Sequence, residues 1–107
     1  MGSERRRFPR YPFVADTEIT EIASNTRLGG RSSDLSIGGC FLDMVNPLPE
    51  GTEIQITVHH ASASFTAVGR VVFVFPNAGM GVVFTNVDHN QVAVLQKWLA
   101  ELSGSKE

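Results

Sequence analysis

Long apolar runs, cysteine pairs and a broad basic surface are all missing from this chain. No hydrophobic run approaches the ~18 residues that a membrane-spanning helix needs. Cys40 is the only cysteine, which excludes an intramolecular disulfide and a Cys-rich zinc site and points to a reducing compartment. A net charge of −2 over 107 residues argues against a protein that coats duplex nucleic acid or anionic membrane, since both reward a wide basic face. No apolar stretch follows the arginines near the start, so a secretory signal is not expected and a cytoplasmic location is. Arg6 stands where a myristoylation signal wants Ser or Thr. Phosphate-loop signatures are missing too, and the GMG at 79–81 opens a strand rather than a helix.

What is present is unevenly distributed. Residues 4–10 (ERRRFPR) carry four arginines against one glutamate, whereas everything from Tyr11 onward holds five Lys/Arg against ten Asp/Glu. The basic character therefore sits in one short arm on a mildly acidic body. Pro9 and Pro12 discourage both helix and internal sheet, so residues 1–12 are expected to form an extended, flexible arm, with a single domain over 13–107. In an extended chain Arg6 and Arg10 project to the same side, roughly 13 Å apart, while Arg7 points away. Guanidinium groups suit bidentate phosphate binding and stacking on a planar base. A plain solvated basic tail is the competing account of the arm alone.

The body reads as strands separated by Gly/Pro turns. VADTEITEI (14–22) alternates loosely, with Val14, Ile19 and Ile22 as its apolar face. NTRLGG (25–30) reads as a turn, and residues 30–36 as a short polar strand. SIGGCFLDMV (36–45) turns at Gly38–Gly39 and re-enters a strand, with Phe41 and Val45 read as inward. TEIQITVHH (52–60) gives the clearest pattern: Ile54, Ile56 and Val58 on one face, Glu53, Gln55, Thr57 and His59 on the other. FTAVGRVVFVF (65–75) is a long strand with Gly69 as a bulge and its phenylalanines as core. A PNAG turn leads to MGVVFT (80–85), which pairs back against it. Six short strands of this kind predict an all-β fold, a six-stranded antiparallel barrel. The period then changes. Val92, Leu95, Trp98, Leu99 and Leu102 form one helical stripe, predicting a C-terminal helix over about 88–103 with Trp98 in the core. Asp88 and Gln91 suggest a capping box, and Gly104 a C-terminal stop.

Catalytic constellations are scarce. His59 and His60 fall on opposite faces of their strand and His89 on the first helical turn, so no metal site is expected. Cys40, within CFL, reads as a small buried residue. The remaining stretch of interest is SDLSIGGCFL, where a carboxylate, a hydroxyl and two glycines meet at a strand–turn–strand junction. A carboxylate there can accept the adjacent N–H donors of a guanine, Ser36 can add a hydrogen bond, and Gly39 can let backbone approach a ligand. An Asx/ST turn around the glycines explains the same residues locally.

Together the two stretches are more specific. Arg6-x-x-x-Arg10 followed, some two dozen residues on, by Asp34-x-Ser36-x-x-Gly39 resembles the PilZ domain, a bacterial receptor module for cyclic di-GMP. Pro12, the GVVF strand (81–84) and the closing helix extend the resemblance over nearly the whole chain, and both motifs are present without a substitution. The resemblance implies a non-catalytic second-messenger receptor that needs no cofactor beyond its ligand. Arg6 and Arg10 would take phosphate oxygens and guanine faces, Asp34 a guanine edge, Ser36 the same base or the phosphate, and Gly39 would make room. Arg5, just ahead of the motif, is associated in this family with binding a stacked pair of ligand molecules. A domain with no output module attached would signal by changing which protein it touches. The alternative, a protein-interaction module of the same fold that binds no nucleotide, is disfavoured by the intact arginines. A single-stranded nucleic-acid binder would interleave aromatics with cations along a strand, but residues 65–75 carry only Arg70.

Overall fold

The computed structural model describes residues 9–104. Among them, six strands and one helix follow in the order β1 (Tyr11–Glu21), β2 (Thr26–Leu35), β3 (Gly39–Asp43), β4 (Glu53–His60), β5 (Ala63–Phe75), β6 (Gly79–Asn86) and α1 (His89–Ser103). The strands are antiparallel and close into a barrel in the order β1-β2-β3-β6-β5-β4. The expected fold class, six-stranded barrel plus C-terminal helix, is the observed one.

Alternation along the strands builds the core. β4 buries Ile54, Ile56 and Val58 and turns Glu53, Gln55 and His59 outward, as its period of two requires. Leu35, Cys40, Leu42, Phe65, Val71, Met80 and Val82 complete the interior from the other strands. Helix α1 closes one end. Trp98 packs its ring 5.6 Å from that of Phe13 and meets His60 edge-on at 5.2 Å, and Leu95 is buried beside it. His59, by contrast, lies outside with Nε2 2.7 Å from Glu18 Oε2, so the two histidines do occupy opposite faces. Gly104 ends the helix in the left-handed region at φ 74°, where a side chain would be strained. No helix is long and apolar enough to cross a membrane among the described residues.

Several local expectations are corrected. In β1 the buried face is Phe13, Ala15, Thr17 and Ile19, which leaves Val14 68% exposed and Ile22 beyond the strand. Small Ala15 and polar Thr17 hide this face from a hydrophobicity count. The first reversal falls at residues 22–25 with Asn25 at φ 61°, and the two glycines lie inside β2, opposite Glu18 and Thr17. In β3, Cys40 and Leu42 point inward, so Phe41 points out, while Val45 lies past the strand at 67% exposure. Phe65 is core, but Phe73 and Phe75 are on the outer surface, because the register shift between Val71 and Phe73 leaves Val72 as an extra residue and re-aims the end of β5. Asp88 occupies the helix N-cap without a side-chain hydrogen bond, and Gln91 instead accepts from the Thr66 N–H at 2.8 Å, tying α1 to β5. Pro12 lies within β1, opposite Asp34. The missing N–H is tolerated because the β1–β4 ladder begins only at Asp16.

Candidate functional site

The barrel brings the end of β2 beside the start of β1. Tyr11 pairs with Leu35 and Pro12 with Asp34, so the residue just ahead of β1 emerges next to the Asp34 side chain. Arg10 Nη2 donates to Asp34 Oδ2 at 3.0 Å across 24 positions of sequence. Asp34 Oδ1 accepts the backbone N–H of Phe41, also at 3.0 Å. The carboxylate thus has one oxygen anchored to β3 and the other on an exposed arginine. With the two side chains 35% and 25% exposed, the ion pair is worth only about 0.2–1 kcal/mol and opens easily.

Ser36 and Gly39 are close by but engaged differently. Ser36 is buried, and its Oγ accepts from the N–H groups of Gly38 and Gly39 at 3.1 Å each while donating to the Gly39 carbonyl at 3.3 Å. One donor and two acceptor sites are the whole capacity of a hydroxyl, so in this structure Ser36 shapes the turn. The glycine has a structural cause as well. A Cβ on Gly39 would run into the Val82 carbonyl oxygen, because β3 and β6 pair tightly at Gly39 and Val83. The space beside Gly39 is therefore filled by β6 backbone. Arg5 and Arg6 lie outside the described residues.

Cys40 faces the interior behind this surface. Burial, with a smaller contribution from the Asp34 charge, pushes its thiol up to about 12, so it is neutral at any physiological pH. No three His, Cys, Asp or Glu side chains gather into a metal-binding group among the described residues.

One feature beside the site escapes a reading of the sequence that places every phenylalanine inside. Asp34, Phe41, Gly81 and Phe73 form one transverse row across β2, β3, β6 and β5. The Phe41 and Phe73 rings lie 6.1 Å apart at 25°, and Phe75 joins them at 6.1 and 5.5 Å. The visible signal is the hairpin FVFPNAGMG, whose register sets Phe73 opposite Gly81 and Phe75 opposite Gly79.

Fold and site together define a small closed antiparallel barrel with a terminal helix and an exposed arginine–carboxylate pair at the start of β1. The chain belongs to the PilZ domain family, whose model matches residues 4–101. Solved structures agree on the fold. The PilZ domain of CeSA from a cellulose-synthesizing bacterium is 20% identical, with a TM-score of 0.72 over 89% of this chain and 98% of that one. The PilZ domain of Escherichia coli YcgR, solved with c-di-GMP, is 22% identical, with a TM-score of 0.76 over 92% of each chain. YcgR from Escherichia coli in complex with c-di-GMP is 26% identical with a TM-score of 0.76. That match covers 92% of this chain but 46% of the other. Among curated proteins, none matches.

Proposed function

We propose that this protein is a non-catalytic, cytoplasmic receptor for cyclic di-GMP. The observation that carries the reading is the Arg10–Asp34 contact, which joins the arm motif and the turn motif at one point on the surface. Family membership supports it, and so does the ligand in the solved YcgR structures. In the proposed mechanism the ligand exchanges one ion pair for stronger contacts. Arg10 leaves Asp34 Oδ2 for a phosphate oxygen, and the freed Oδ2 accepts a guanine N–H while Oδ1 stays on the Phe41 amide. A charge-assisted hydrogen bond contributes about 1.5–3 kcal/mol, more than the exposed pair it replaces. Arg6 supplies the second motif guanidinium and Arg5 the contact that admits a stacked pair of ligands. Ser36 and Gly39 act by holding the turn that positions Asp34. Ordering the arm costs ~1–2 kcal/mol per backbone residue, offset by these contacts. The altered surface is then read by a separate protein.

Isothermal titration with cyclic di-GMP, run beside Arg10→Ala, tests this. Binding that is lost in the variant is the expected result, with the molar ratio reporting on Arg5. No heat at millimolar ligand with a folded sample overturns it in favour of a nucleotide-independent interaction module.

A further inference from the structure

We propose that Ser32, which lies outside both ligand motifs, is a positioning residue for nucleotide binding: its buried hydroxyl holds the irregular step in β2 that turns Asp34 to the outer surface. The inference rests on the cyclic di-GMP reading and names what aims the carboxylate of that site. Along β2, Ser32 faces inward, fully buried and paired with the buried Ala15 and Leu42. Asp34, two residues on, faces outward, paired with the exposed Pro12 and with Phe41. In an unbroken strand residues two apart share a face, so a regular β2 would carry the Asp34 carboxylate into the barrel. The chain flips at Ser33 instead, leaving Ser33 and Asp34 both partly exposed between the buried Ser32 and Leu35. Over this step β1 runs from Pro12 to Ala15, β2 from Ser32 to Asp34, and β3 only from Phe41 to Leu42, so neither neighbouring ladder stays in register.

A step of this kind takes backbone groups out of the ladder, and buried ones need partners. Ser32 supplies two of them on the β1 side. Its Oγ accepts the Ala15 N–H at 3.1 Å and donates to the Phe13 carbonyl at 2.7 Å. These two groups bracket Val14, inside the stretch where the β1–β2 register shifts. An apolar side chain can make neither bond, although the cross-strand neighbours Ala15 and Leu42 mark this as a core position. The same two bonds fix the course of β1 just after Arg10, whose guanidinium reaches Asp34 Oδ2 at 3.0 Å. With Ser36 on its other side, Asp34 stands between two buried serines: one bonds β1, the other the Gly38–Gly39 turn. Once the Ser32 hydroxyl is removed the step is free to relax. The carboxylate then spends part of its time away from the ligand, and affinity falls by the fraction of molecules that remain competent.

The test is titration of the full chain with cyclic di-GMP, followed by amide NMR so that only folded molecules count, in wild type, Ser32→Ala, Ser32→Cys, Arg10→Ala and a core control, Ile54→Val. Ser32→Ala is expected to weaken binding about 3- to 10-fold, the worth of one hydrogen bond. Ser32→Cys, close in size but a weak donor and acceptor, is expected to weaken it less. Ile54→Val destabilises the barrel from β4 and is expected to bind as wild type does. The second readout is the Phe41 amide resonance without nucleotide, which reports the bond to Asp34 Oδ1. It is expected to move in Ser32→Ala and to stay in place in Ile54→Val. Wild-type affinity and an unmoved Phe41 resonance in Ser32→Ala, with Arg10→Ala inactive, overturn the proposal and leave the receptor reading standing. If the alanine variant does not fold, the same comparison in Ser32→Cys decides in the same way. Equal losses of affinity in Ser32→Ala and Ile54→Val reduce Ser32 to a general contributor to stability and also overturn the proposal. A wild type that does not bind overturns the positioning role and the receptor reading together.

Discussion

Replacing Ser36 with alanine separates two roles that its motif position confounds. The hydroxyl is the acceptor for the N–H groups of Gly38 and Gly39, and the substitution removes that acceptor from both. The Gly39 carbonyl keeps a partner in the Ser36 N–H at 2.8 Å, so the loss falls on the two donors. A buried donor left unsatisfied costs about 1–3 kcal/mol, and the part-buried Gly38 amide, which water can reach, costs less. About 2 kcal/mol is the resulting expectation. At ~2.1 cal/mol/K per residue, 107 residues give an unfolding entropy of about 0.22 kcal/mol/K, so Tm falls by about 9 °C. Thermal unfolding followed by circular dichroism, without nucleotide, measures this directly. A Tm within 3 °C of wild type, together with lost nucleotide binding, would refute the turn-shaping role and make Ser36 a direct ligand contact.

Two further predictions concern the barrel behind the site. Gly39→Ala drives a methyl group at the Val82 carbonyl and forces β3 and β6 apart; urea unfolding should show a loss of at least ~1–3 kcal/mol, and a wild-type midpoint would contradict the close approach. Cys40 ionises near 9 when unfolded but at about 12 in the fold. Its folded-state pKa is raised, so its contribution is complete below pH 9 and is lost as pH rises from 9 toward 12. At pH 10 wild type should have lost about 1.4 kcal/mol that Cys40→Ala does not lose, measured as the difference between their urea midpoints across pH 8–10. Parallel pH curves for the two proteins would show that the thiol ionises freely in the fold.

Where a strand buries one face with large apolar residues, the sequence was sufficient. Ile54, Ile56 and Val58 locate β4 to within a residue, and the Leu95–Trp98 stripe locates α1. β1 was harder because its inward positions include Ala15 and Thr17 while Val14 is outside; the face is set by closure of the barrel against β2 and β4, which no local pattern records. Phe41, Phe73 and Phe75 illustrate the reverse case. Hydrophobicity marks them as interior, but a bulge in β5 and glycines at 79 and 81 decide otherwise. Arg10 and Asp34 were legible as a pair of motifs, though their direct contact depends on the β1–β2 register. Ser36 and Gly39 were legible as positions, and their turn-forming bonds fit the Asx/ST turn that accounted for them locally.

Closure of the barrel has a consequence for how any partner can recognise this domain. β4 hydrogen-bonds back to β1 over Asp16–Glu21, so each of the six strands has a neighbour on both sides. A visiting peptide finds no full-length edge to extend: only short stretches such as Tyr11–Ala15 of β1 and Thr26–Gly30 of β2 lack a second paired neighbour, so strand addition, a common route to protein–protein contact, has little to build on. A partner therefore meets this domain chiefly through side chains, by the relief and charge of its outer surface and ends. Such a surface can be rewritten by moving a single arginine, without disturbing one hydrogen bond of the sheet.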